Sequence, residues 1–475
     1  MGITTRSTGA AANGAVRQEP FTRVAPLLKS ALLLGAGGGF VLATVLTLTR
    51  AFSVPADSWW TPLAQAHGHL QLFGWAGLFV LGVALHFLPR LRGASLALPG
   101  LIPWLLGALV SGLLLRACSQ PLLAITGVEI WRVLLVISGV LECVALIGVV
   151  ALLAVTALHG PALANRQAFQ QILPFIIMAF GSLGLASAIN LVNVIQAASS
   201  GSVPPANDDL NVTLGLLGFL VPMALAMSAR SLPMYSGLEA FPQKLMWPLA
   251  ITYFLGLALL CAGTMISASW SGIITGSGMI CMGAVVILFV VVFLRLMRSR
   301  GRLPRKVAEL APEPQAVARS YRAKVTKERK DYGPFVRLVA SAYMWAVLGG
   351  TLLVVDGVTQ LVGTGPVFAL DAIRHSFAIG FIALLICGIA PRMIPGFSGG
   401  NIMSPKLVRA TLWLGNIAAL LRVGSLLAAP LLALFQGTGY TIVAVTFGLS
   451  GPIGLALAIC LAVNLWPALG HSSRT

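Results

Sequence analysis

A chain of 475 residues that is 57% hydrophobic and only 9% charged, with a mean hydropathy of +0.92, cannot hide its apolar surface in a water-soluble core. It reads as an all-α polytopic membrane protein. The net charge of +18 raises nucleic acid as a partner, but the placement of the charge points to membrane topology instead, and no nucleic-acid partner is expected.

Twelve apolar runs are each long enough for the roughly 20 residues that cross a bilayer as helix. They cover about 27–49, 66–89, 98–117, 130–158, 172–197, 210–232, 245–267, 273–298, 335–361, 373–395, 407–434 and 441–466. With the N-terminus cytoplasmic, 26 of the 31 Lys and Arg fall on inner segments, Arg50, Arg116, Arg132 and Arg374 lie at outer ends, and Arg422 lies within a helix. That bias is the positive-inside rule and puts both termini inside. Residues 1–26 form a basic tail with no apolar run and cleavage site, so the first span is expected to be its own targeting signal. The six cysteines show no paired spacing and mostly fall inside spans, which argues against disulfides and thiolate metal sites.

The first span carries Gly35, Gly37, Gly38 and Gly39, small residues that permit close helix approach. An outer loop with Trp59 and Trp60 delivers the chain into the second span, which has His67 and His69 at its start and His86, Pro89 and Arg90 at its end. The fourth span carries Glu142 and the fifth Asn190 and Asn193. The stretch from Arg295 to Arg337 holds thirteen Lys or Arg, four acids and four prolines, a composition that neither spans a membrane nor builds a core. It is an inner loop suited to anionic lipid head groups. Asp356 follows in the ninth span.

The second span is written three times. His69, Gly74, Gly82, His86 and Pro89 fall without gaps on Thr213, Gly218, Ala226, Arg230 and Pro233, and on His375, Gly380, Gly388, Arg392 and Pro395. The spacing implies three pseudo-symmetric four-helix repeats, 27–158, 172–298 and 335–466, with the basic loop 299–334 inserted before the last. Four helices is an even number, so the copies share one orientation and are related by rotation about the membrane normal.

Counting 27 residues on from the repeat's proline lands on Arg116 in the first copy, Arg422 in the third and Leu260 in the second. The copies with a histidine are the copies with an arginine. A haem takes imidazole as an axial ligand, and its propionates pair with cations. His69 and His375 are therefore candidate ligands of one haem, and Arg116 and Arg422 candidate propionate partners. Small and large apolar residues alternate after each histidine, Leu72, Phe73, Ala76 and Gly77 on one helix and Ala378, Ile379, Ile382 and Ala383 on the other. The same histidines would equally serve as interhelical hydrogen-bonding groups.

His67 points to nearly the opposite face from His69, so it either bonds outer-loop groups or serves as a reserve metal ligand. His86 lies about 25 Å along the helix from His69 and cannot share its site. Glu142 and Asp356 are candidates for proton or cation pairing inside the membrane, or for structural hydrogen bonding. Met223 and Met227 read as a packed face, with soft copper ligation as the alternative.

The strings HGHLQLFGWAGLFVLGVALHFLPR and RHSFAIGFIALLICGIAPRMIPGFSGG, with the arginine of ALLRVG, resemble the NnrS family of bacterial membrane proteins. That resemblance implies twelve helices in the bacterial inner membrane, a b-type haem with copper possible, and a part in the response to nitric oxide, often beside denitrification. A more distant likeness is to subunit I of haem-copper oxidases and nitric oxide reductases, whose low-spin haem is ligated from helices 2 and 10. The match stops at the second metal, because helices 6 and 7 here contain no histidine. Three functions are thus expected in order: a haem protein of the nitric oxide response, a haem component oxidising quinol, and a haem-free transporter.

Overall fold

The computed structural model describes residues 18–236, 239–266, 269–298, 313–432 and 436–470. The expected tail 1–26 and loop 299–334 therefore lie partly outside the described residues. Among the described residues there is no strand, and twelve helices are long and apolar enough to cross a membrane. They are α1 Phe21–Ala51, α2 Trp60–Arg92, α3 Pro99–Thr126, α4 Glu129–Leu158, α5 Gln167–Ala197 and α6 Pro205–Pro233. The second half comprises α7 Gln243–Met265, α8 Ser271–Arg298, α9 Phe335–Leu361, α10 Leu370–Ser398, α11 Pro405–Leu431 and α12 Gly437–Gly470. Part of the basic loop folds as a surface helix, Pro314–Tyr332, tied to the bundle by an ion pair of Glu328 with Arg392 at 2.9 Å.

Burial separates the helices into two classes. In the most apolar stretch of α2, 94% of residues are buried, and in α6 and α10 78% are, against 28–56% in the other nine. The three copies of the repeated helix thus form the centre, and the remaining helices present apolar side chains such as Leu33, Trp104, Ile251 and Leu420 outward, as lipid requires.

The central helices share one distortion. A π-helical stretch begins at Leu70 in α2, at Leu214 in α6 and at Ser376 in α10, in each case on the residue after the repeat's His69, Thr213 or His375. A fourth, Gly35–Gly39, lies in α1. Widened turns of this kind are rare and concentrate at functional sites. The glycines of α1 also let it lie against α2: a Cβ at Gly35 would overlap the Trp75 ring, and one at Gly39 would stand 2.9 Å from the Gln71 carboxamide carbon.

Two of the polar groups flagged from sequence have local explanations. Asp356 accepts hydrogen bonds from the backbone N–H of Val367 (2.9 Å) and Phe368 (3.1 Å), fastening the turn into α10. His86 sits between the rings of Phe21 and Phe397, with centroids 5.3 and 4.5 Å away, at the end of the bundle opposite His67 and His69.

Candidate functional site

A cavity of about 410 Å³ lies at the histidine end of the bundle, walled by α1, α2, α6, α10, α11 and α12; cofactor and drug-sized sites occupy roughly 300–1,000 Å³. His67, His69, His375 and Arg422 all border it. Arg116 does not.

The cavity's wall at α10 is organised by one carboxylate. Asp371, four residues before His375, takes an Nδ1–H from that imidazole at 2.9 Å and pairs with Arg422 of α11 at 2.6 Å. Arg422 in turn lies 4.2 Å over the Phe447 ring of α12, and its Nε is buried without a partner. Beside it, Arg374 pairs with Asp209 of α6 at 2.8 Å. The opposite wall is supplied by His67, whose Nδ1 donates to the Gly39 carbonyl of α1 at 2.8 Å. His67 lines the same cavity as Asp371, His375 and Arg422.

Both imidazoles therefore spend Nδ1–H on a protein oxygen, which fixes the tautomer and leaves Nε2 as a lone-pair donor. That is the arrangement ligating histidines adopt. Small residues, among them Ala64, Gly68 and Ala378, also line the cavity.

His69 faces another way. Its Nε2 bonds the Glu142 carboxylate of α4, and Arg116 of α3 stands 3.4 Å from the same nitrogen. Arg116 donates to the Asn190 carbonyl oxygen of α5, and the Asn190 amide reaches Glu142 at 3.4 Å. Four side chains from four helices thus close a ring, with Glu142 at 0% and Arg116 at 2% exposure. The ring extends from Arg116 through Gln120 (3.1 Å) to Gln65 (2.7 Å) and on to the backbone of Val203. Charges so deep in an apolar medium persist only when paired and hydrogen-bonded.

The four residues singled out by the repeat are divided between the cavity and this ring. The structure does not bring Arg116 to the cavity, because α3 continues to Thr126 and leaves Arg116 in mid-helix, surrounded by α2, α4 and α5. His69 borders the cavity together with His67 and His375, and its Nε2 bonds Glu142. The missed residue, Asp371, did carry a signal. It stands four before its histidine as Gln65 does before His69, one helical turn away on the same face.

The unit from α6 to α10 is packed solid. Phe241 stacks on Phe289 at 4.6 Å, Phe293 meets Tyr343 at 4.4 Å and Tyr343 meets Phe381 at 5.5 Å, all at 0–1% exposure. Among the described residues no three His, Cys, Asp or Glu side chains gather as a metal site, and Met223 is packed in the core at 1% exposure.

No family model matches the sequence, and no curated protein does. By shape, the chain is similar to a chain from the cryo-EM structure of a heme-copper terminal oxidase dimer. The two share 12% sequence identity over 95% of this chain and 85% of that one, with a TM-score of 0.63. The chain is thus an all-α membrane protein with twelve spanning helices among its described residues and a fold shared with a chain of a heme-copper terminal oxidase.

Proposed function

We propose that this chain is a haem-binding protein of the bacterial inner membrane, with the cavity toward the outer face, that acts in the response to nitric oxide. The observation that carries the haem reading is the pair His67 and His375: two imidazoles on facing helices, each with Nδ1 engaged, across a cavity with a spare cationic donor at Arg422. The residues fit the group. His67 and His375 would hold the iron, and Arg422, with Nε unpartnered, together with Arg374, would pair with the propionates. When bound, the haem would supply a one-electron couple and a site for diatomic ligands.

The protein's own contribution is positional. Asp371 and Gly39 orient the two rings, the Asp209–Arg374 pair ties α6 to α10 at the mouth, and apolar residues of α1, α6 and α12 keep water from the rest of the cavity. The nitric oxide role rests on the resemblance of the two histidine strings to the NnrS family, and the fold likeness supports the broader haem-protein reading. Electron transfer from quinol is the second reading, favoured by the presence of two histidines that would both hold the iron.

Haem titration of the purified protein, followed by nitric oxide added to the reduced form, tests this. One haem per chain with a spectrum shifted by nitric oxide is the expected result. A haem whose spectrum nitric oxide leaves unchanged supports the electron-transfer reading, and failure to take up haem removes both and leaves membrane transport.

A further inference from the structure

At the end of the bundle opposite the cavity, the surface helix Pro314–Tyr332 carries a one-sided charge. Val317, Val325, Glu328 and Tyr332 fall on one helical face and are partly buried, while Arg319, Arg322, Lys324, Lys327, Arg329 and Lys330 are exposed. Of the helix's two acids, Glu328 is engaged inward by Arg392 of α10 at 2.9 Å, and that guanidinium lies 5.0 Å over the Tyr332 ring. Only Asp331 is left to offset the exposed cations, none of which forms an ion pair among the described residues. The helix is fixed against the spans at its C-terminal end. Gly333, at φ +65°, turns the chain into α9 at Phe335, and a Cβ there would stand 2.7 Å from the Pro405 carbonyl oxygen at the start of α11. This joint adds Arg337 from the first turn of α9 and Lys406 and Arg409 from that of α11, all exposed. Trp413, one residue beyond a further turn of α11 and roughly 10 Å from Lys406 along the axis, is 64% exposed, as suits an aromatic at the lipid boundary.

We propose that the surface helix, together with the first turns of α9 and α11, is a docking surface for anionic phospholipid headgroups. The occupant follows from charge and from position. A headgroup phosphate complements guanidinium and ammonium groups, and each Lys or Arg near an anionic membrane surface strengthens the attraction by roughly fivefold. The Gly333 turn holds the last residues of the helix beside the starts of two spanning helices, so its cations stand within the short range over which a membrane's surface potential acts. An acidic protein or a nucleic acid has the complementary charge but must arrive from solution, whereas headgroups are present wherever α9 and α11 enter the bilayer. The Glu328–Arg392 pair orients the helix: it turns the one inward acid toward α10 and leaves the basic side for the lipid.

Amide hydrogen exchange over Pro314–Tyr332 tests this in the full-length protein, held in nanodiscs of phosphatidylcholine with or without phosphatidylglycerol. A docking surface about 90% occupied suppresses opening of the helix by about tenfold, so exchange slows by about that factor with phosphatidylglycerol, and high salt removes the difference. The combined variant Lys324→Gln, Lys327→Gln, Arg329→Gln and Lys330→Gln exchanges as wild type does in phosphatidylcholine and loses most of the slowing. Lys406→Gln with Arg409→Gln, which leaves the helix itself untouched, loses a smaller part of it. Equal exchange of wild type in the two kinds of disc overturns the proposal, as does a slowing that both variants retain in full. Slowing by soluble polyglutamate or a single-stranded oligonucleotide in neutral discs, with none from phosphatidylglycerol, overturns it in favour of a soluble acidic partner.

Discussion

The histidine–arginine pair occurs twice in this molecule, and the two surroundings have opposite fates. His375 and Arg422 line the cavity: Asp371 holds both, and Phe447 and Ser450 of α12 line it beside them. His69 also borders that cavity, but its Nε2 is taken by Glu142, and Arg116, which does not border it, closes a ring of hydrogen bonds with Glu142 and Asn190 from α4 and α5. Repetition of a ligand-type residue therefore does not repeat the site. What decides is the residue opposite, here a carboxylate consuming the imidazole of His69.

The comparison is broken most severely at His375. His375→Ala is expected to abolish haem uptake, read as the haem-to-protein ratio of the purified protein, whereas His69→Ala leaves that ratio at the wild-type value. Equal loss in both would make the ring part of the cofactor's environment.

The ring is expected to matter for stability. Glu142→Leu leaves His69 Nε2 and the Asn190 amide without their acceptor and removes the carboxylate from the ring that holds Arg116, and removing one partner of a buried charged group costs about 3–5 kcal/mol. Thermal unfolding in detergent should show a lowered midpoint for Glu142→Leu, and much of the loss should return when Arg116→Met is added. A lone Glu142→Leu variant as stable as wild type would mean that the ring is incidental.

Smaller effects follow on the cavity side. Gly68→Leu places a side chain in open space, so it should fold normally and weaken haem uptake by competing for volume. Arg422→Gln removes a charged donor, and a charge-assisted hydrogen bond of about 1.5 kcal/mol corresponds to roughly tenfold in haem affinity. Titration of both variants in parallel ranks volume against charge.

Much of this architecture is legible in the residues. Hydropathy alone places twelve spans, and the register of His69, Thr213 and His375 picks out the three helices that prove central. The chemistry of the site is harder to read, for a specific reason. Equivalent residues of a rotational repeat face equivalent directions, so His69 looks toward α3 and α4 as His375 looks toward α11. The cavity is lined by His375 from one copy and by both His67 and His69 from the other, and the proposed site takes the inequivalent pair, His67 and His375. The opposition of His67 and His69 on the helix follows from their spacing, but which of them looks across the molecule depends on packing. The π-helical turns that follow each repeat position likewise carry no signal in the composition of LQLFGWAG or SFAIGFIA.

The central claim is that His67, and not its neighbour two residues on, faces His375 across a haem. Reduced-minus-oxidised absorption spectra of purified wild type, His67→Ala and His69→Ala measure it directly. The account predicts a low-spin spectrum in wild type and His69→Ala, and loss of the low-spin signature in His67→Ala. A low-spin spectrum lost in His69→Ala and kept in His67→Ala would contradict it.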